Sequence, residues 1–117
     1  MTAAYPVPMS SRPLSLDIDR HDVGAPRLAV SGEIDLATAN SLEEAALALL
    51  DERPTALVLD FSGVTFCDSS GIGVLVRLYN RATIIGCRIT VSRPTPNVRA
   101  VLDMTSLSRI FHIDDTG

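Results

Sequence analysis

The sequence between Ala56 and Ile85 constrains this chain most, because its hydrophobic period changes part-way along. Ala56-Leu57-Val58-Leu59 is too short an apolar run for a helix and predicts a buried strand. Asp60 to Gly63 interrupts it with turn chemistry. Val64-Thr65-Phe66-Cys67 resumes an apolar piece, and Asp68-Ser69-Ser70-Gly71 leads into a stretch with the period of a helix. A serine between an acid and an apolar helix predicts an N-cap, its hydroxyl accepting from an amide of the first turn. On a wheel of about 100° per residue, Ile72, Leu75, Val76, Tyr79 and Ala82 share one face, which Val74, Leu78 and Ile85 widen. The narrow remaining arc holds Ser69, Ser70, Gly73, Arg77, Asn80, Arg81 and Ile84. A strip headed by two serines is the first place to look for function.

The rest of the chain supplies elements of the same kind. Residues 1–13 contain three prolines among Ser, Thr and Ala, and predict a loose leader. Leu14 to Asp19 alternates with period two, as a half-exposed strand near a sheet edge does. After a turn, Leu28 to Ile34 predicts a second strand, with Gly32 marking a bulge or bend. Asp35 is expected to open a helix whose apolar face is Leu36, Ala39, Leu42, Ala45, Ala46, Leu49 and Leu50. Glu43 and Glu44 fall on its solvated side. Arg53-Pro54 stops that helix, because the residue before proline leaves the helical region. Gly86 ends the serine-headed helix, and Arg88 to Ser92 predicts a strand. Val98, Val101, Leu102 and Met104 give a short helix ending near Ser106. Ile110 to Ile113 predicts a last strand, followed by a polar tail, residues 114–117.

The resulting order, β-β-α-β-α-β-α-β, implies crossover connections. It predicts a single α/β domain over residues 14–113, with a mixed, mainly parallel sheet of four to five strands and three to four helices. The length, 117 residues, suits one core. A hydrophobic fraction of 46% with only 4% aromatic residues makes that core aliphatic and separates the chain from disordered ones.

Charge and residue chemistry exclude several function classes. A net charge of −4, with arginine as the only basic residue apart from two histidines, lacks the basic stripe of a nucleic-acid binder. A serine hydrolase needs a histidine within reach of its nucleophile. His21 and His112 sit in a predicted loop and the last strand, and G-x-S-x-G is absent. Metal ligands are scattered, and no catalytic residue or cofactor is expected. Gly71-x-Gly73 at a helix start is part of a phosphate cradle, but the longer glycine-rich loop and its lysine are missing. The two glycines are expected to admit another backbone close to the first turn. Cys67 and Cys87, in apolar contexts, read as reduced, packed thiols of a cytoplasmic protein. No run reaches the ~18 apolar residues of a membrane span.

Asp60 to Leu75 (DFSGVTFCDSSGIGVL) resembles, almost position by position, the signature of STAS-domain proteins, and within them that of bacterial anti-sigma factor antagonists. Gly32-Glu33-Ile34-Asp35 is similar to the Gly-Glu-apolar-Asp that closes a strand in that family. Pro96 to Leu107 is similar to its closing helix and turn. Cys67 stands where the family has an aliphatic residue.

This resemblance implies a binding module rather than an enzyme. In the family the unphosphorylated domain binds an anti-sigma factor that is itself an ATP-dependent serine kinase of the GHKL type, which frees a sigma factor. Phosphorylation of one serine at the start of the second helix ends the binding. Ser69 matches that serine, Asp68 the neighbouring acid, and Asp35 an acid close to the site. Adding the exposed arc, the expected partner-binding residues are Asp35, Asp68, Ser70, Gly73, Arg77, Asn80 and Arg81. A phosphatase that reverses the mark would complete the cycle. Two alternatives stay open: a STAS scaffold or regulatory module for a different partner, and a small nucleotide-binding domain.

Overall fold

The computed structural model describes residues 13–115. The expected leader therefore lies outside the described residues apart from Pro13, as do the last two residues of the expected tail. Among the described residues, eight elements follow the predicted alternation, and a 3-10 turn is added before the last strand: β1 (Ser15–Asp19), β2 (Arg27–Ile34), α1 (Ala39–Asp51), β3 (Ala56–Cys67), α2 (Ser69–Ile85), β4 (Arg88–Ser92), α3 (Pro96–Met104), the 3-10 turn (Leu107–Arg109) and β5 (His112–Asp114). The strands form one five-stranded sheet in the order β1-β2-β3-β4-β5. β1 pairs antiparallel to β2 on the edge, as its alternation predicts, and the other neighbours are parallel. Each helix is thus a crossover that advances the sheet by one strand.

One face of the sheet carries the core. Leu28, Val30 and Ile34 of β2, Leu57, Leu59 and Phe61 of β3, and Ile89 and Val91 of β4 are buried. They cluster with Leu42, Ala46, Leu49 and Leu50 of α1 and Leu75, Leu78 and Ala82 of α2. Residues of opposite parity, Val58 and Thr90, are only half-buried. Among them Asp60 accepts from Arg93 (2.8 Å), from Arg27 (3.4 Å) and from the Ser62 amide (3.0 Å). Burial alone would raise its pKa, but these hydrogen bonds and the Arg93 charge hold the carboxyl below its ordinary value.

Three expectations are corrected. The turn placed at Asp60 to Gly63 does not form, because β3 runs unbroken through it. Ala29 and Ser31 of β2 pair with Asp60 and Gly63, and Gly32 and Glu33 with Val64 and Phe66, so β3 carries one extra residue in each interval. The turn chemistry is absorbed as two bulges. Gly63 is required there, since a Cβ would collide with Ser31 Oγ. Gly32, at φ 116°, supplies the expected irregularity on β2. The buried face of α2 is also rotated from the expected one. It centres on Gly71, Val74, Leu75, Leu78 and Ala82, while Val76 is exposed. The cause is that α2 packs against α1 as well as the sheet. Finally, α3 stops at Met104 and β5 starts at His112, each two residues off the predicted boundary. Gly86 ends α2 in the left-handed conformation, φ 73°, where its missing Cβ removes the steric penalty.

Candidate functional site

Two parallel strands, β2 and β3, end side by side, and each delivers an acid to the same end of the sheet. Ile34 pairs with Cys67, and the Asp68 amide donates to the Ile34 carbonyl at 3.1 Å. The next residues are Asp35 and Asp68, and they behave differently.

Asp35 turns inward and is 7% exposed. Its Oδ1 accepts from the Ala37 amide (3.0 Å), the Thr38 amide (3.1 Å) and the Thr38 hydroxyl (3.2 Å). Its own amide donates to Thr38 Oγ1 at 3.0 Å. Oδ2 is buried with no hydrogen-bond partner among the described residues. These bonds spend residues 35–38 on a turn, so α1 begins at Ala39 with Thr38 as its N-cap, not at Asp35 as expected. Leu36, assigned to the buried face of that helix, instead stands 85% exposed.

Asp68 caps α2 itself: its side chain accepts from the Ser70 amide at 2.8 Å. The expected serine cap is thereby corrected. The carboxylate reaches the amide first, and Ser69 becomes the first helical residue, exposed, with Ser70 partly buried behind it. Gly71 faces inward, where a Cβ would collide with Cys67 Sγ and lie 2.7 Å from Ile34 Cγ2. Two core side chains, rather than the expected backbone, make the close approach. Burial, reinforced by the Asp68 charge, pushes the Cys67 thiol up to about 11, so it is protonated and packed at neutral pH.

Two hollows that share Leu36 lie at this end of the sheet. An open depression of about 860 Å³ is lined by Glu33, Asp35, Leu36, Ala37, Thr65, Phe66 and Asp68. A groove of about 300 Å³ between the starts of α1 and α2 holds Leu36, Asn40, Glu43, Ser69, Ser70, Gly73 and Arg77. The structure therefore brings Ser69, Ser70, Gly73 and Arg77 together, with Asp35 and Asp68 next door. Asn80 and Arg81 are exposed farther along α2 and line neither hollow.

Electrostatics tie the groove walls together. Arg77 donates from Nε to Glu43 Oε2 (2.7 Å) and from Nη2 to Glu43 Oε1 (2.9 Å), linking α2 to α1. This hydrogen bonding holds the Glu43 carboxyl below its ordinary value and raises Arg77. Glu43 is accordingly 18% exposed at its side chain, not on the open solvated side. Arg81 pairs with Asp51 at 3.0 Å, both exposed. The sequence reading missed Leu36 and Phe66, large apolar side chains left exposed beside the site. Their signal was position alone, beside the two acids at the strand ends. Among the described residues, no group of three or more His, Cys, Asp or Glu side chains could hold a metal ion, and no helix is long and apolar enough to cross a membrane.

The family model described as "Mlab, STAS domain" matches residues 18–112, from within β1 to β5. The chain belongs to the STAS-domain family. Over 52 residues this STAS domain is 48% identical to the anti-sigma-F factor antagonist RsfB of Mycobacterium tuberculosis, strain H37Rv. That match spans 44% of this chain and 43% of RsfB, less than half of the relative's length. An anti-sigma F factor antagonist of Paenibacillus polymyxa is 29% identical over 103 residues, covering 87% of each chain. The crystal structure of an anti-sigma factor antagonist from Mycobacterium paratuberculosis superposes with a TM-score of 0.75 at 32% identity, over 86% of this chain and 85% of that one.

Proposed function

We propose that this STAS domain is an anti-sigma factor antagonist, switched by phosphorylation of Ser69. Unphosphorylated, it binds an anti-sigma factor that is an ATP-dependent serine kinase of the GHKL type, and a sigma factor is freed. The names of its relatives support the first half of this reading. One observation carries the second: Asp68 takes the capping role, which leaves the Ser69 side chain exposed at the head of a groove.

In the transfer, Ser69 Oγ attacks the γ-phosphorus of kinase-bound ATP. The new O–P bond forms as the bond to ADP breaks, and the hydroxyl proton passes to a kinase carboxylate. The product adds about −1.5 to −2 charges at a helix N-terminus, whose dipole and free amides favour an anion. The fold therefore tolerates the mark. At the interface the balance reverses, because a kinase site carries acids for metal and proton handling, and like charges forced together cost several kcal/mol. At about 1.4 kcal/mol per decade, affinity falls roughly a hundredfold or more. Asp35, Asp68, Ser70, Gly73, Arg77, Asn80 and Arg81 are assigned to the partner surface, with Leu36 and Phe66 as its apolar anchors.

The test is the affinity of the anti-sigma kinase, recovered by pull-down from native extract, for four forms of the chain. Wild type and Ser69→Ala should bind alike, with only wild type released when ATP is added. Ser69→Asp and the phosphorylated chain should fold normally and bind weakly. Equal affinities for all four, or phosphate on Ser70, would sink the assignment.

A further inference from the structure

Ser69, Gly73 and Arg77 are spaced by four residues and form one column along α2. The last member already has half of its guanidinium engaged. Nε and Nη2 form the fork on Glu43, at 2.7 and 2.9 Å. Nη1 takes no part in that fork, and it lies 3.3 Å from where a Cβ on Gly73 would sit. The side chain thus reaches back along the helix toward its N-terminus, the direction in which helical side chains lean. Gly73, the middle of the column, carries nothing that stands between Nη1 and Ser69. All four residues line the same groove.

We propose that Arg77, positioned by Glu43 and passing over Gly73, is a built-in counter-ion for a phosphate on Ser69. Nη1 donates to a phosphate oxygen while Nε and Nη2 keep their bonds to Glu43. This rests on Ser69 being the phosphate acceptor. The need for such a group follows from the surroundings, since Asp68 capping α2, Glu43 on α1 and Asp35 on the turn before α1 are all acids near this end of the helix. A helix N-terminus offers only about half a positive charge against a dianion. Arginine suits the task because its donors sit in a rigid fork that can serve two anions at once, which a lysine ammonium cannot do with the same geometry. Phosphorylation would then also withdraw a cation from the partner surface. Arg77 would be a positioning and phosphate-binding residue, with Glu43 acting through it.

Installing phosphoserine at position 69 during translation tests this without any kinase. Phosphorus NMR then follows the second ionisation of the phosphate, ordinarily near pH ~6. A cation bonded to the dianion lowers that value. In the full chain it should lie about one unit lower than in the Arg77→Gln variant, with Arg77→Lys between them. Glu43→Ala discriminates positioning from bulk charge. Removing a nearby carboxylate would by itself lower the phosphate pKa, whereas loss of the arginine's anchor should raise it. In unsubstituted chain the Arg77 side-chain NH resonances should also move when Ser69 is phosphorylated. Equal ionisation in wild type and Arg77→Gln, or a lowered value in Glu43→Ala, would overturn the proposal. Failure of the sigma-factor reading shows elsewhere, as an anti-sigma kinase that leaves Ser69 unmodified, and does not touch this titration.

Discussion

The junction after β2 and the junction after β3 begin with nearly the same words: a strand, an acid, then the approach to a helix. Asp35 is buried and gives its Oδ1 to two amides and a hydroxyl of residues 37 and 38. Asp68 stays partly exposed and gives one oxygen to one amide of the helix itself. The first acid builds a turn that sets α1 back and throws Leu36 outward. The second starts α2 at once and leaves Ser69 in the open. An acid at a strand end is therefore not one device but two, and the number of residues before the helix decides which. The inward junction fixes the turn before α1, and the outward one leaves Ser69 exposed at the head of the groove.

Removing each acid breaks the comparison most directly. Asp35→Ala deprives buried donors of a charged acceptor and should lower the unfolding free energy by about 2–3 kcal/mol. Asp68→Ala removes an ordinary cap and should cost about 1 kcal/mol. Urea unfolding of the two variants checks the ratio, and equal losses would show that the junctions are equivalent after all. Asp35→Asn keeps Oδ1 as an acceptor but buries an NH2 where Oδ2 has no partner, so it should lose less than alanine and still fall below wild type.

The glycines of the second junction sharpen the contrast. Gly71→Ala places a methyl against Cys67 Sγ and Ile34 Cγ2, an overpacking that typically costs about 1–3 kcal/mol. The better helix propensity of alanine returns up to about 1 kcal/mol. The net is a loss of up to about 2 kcal/mol once the full propensity gain is subtracted, read from the thermal midpoint. Two positions on, Gly73→Ala meets only the flexible end of Arg77, so the same measurement should show no loss.

The smallest effect concerns the clasp between the helices. Because Arg77 holds the Glu43 carboxyl below its free value of 4.5, the pair's contribution is complete above that pH and is lost as the pH falls through the lower folded value. Glu43→Gln should therefore shift the melting temperature slightly at neutral pH, and the difference from wild type should vanish in acid. A difference that persists there would mean the clasp is not what Glu43 contributes.

Much of this was legible in the chain. The change of period at Asp68-Ser69-Ser70-Gly71 marks where a strand ends and a helix begins, and the alternation of elements implies the mainly parallel sheet. The edge position of β1 follows from its period of two, and Gly86 announces the end of α2. These signals are local, because a strand or helix imposes its repeat on its own residues. The resemblance in Asp60 to Leu75 also points to Ser69.

What only the tertiary structure decided depends on which elements meet and in what register. Asp60 to Gly63 has turn composition, yet pairing with β2 keeps β3 extended and turns the excess residues into bulges. The capping role passed from Ser69 to Asp68 because a carboxylate one residue earlier reaches the Ser70 amide. Leu36 has the spacing of a core residue, and only the Asp35 turn takes it out of the helix. Glu43 and Arg77 are 34 residues apart, each reading as a solvated charge on its own helix. They become one clasp because consecutive crossovers lay α1 beside α2. The sequence by itself determined the order of the elements and the place of the serine at the start of α2, and the contacts made in the fold determined which residue caps that helix and what surrounds the serine.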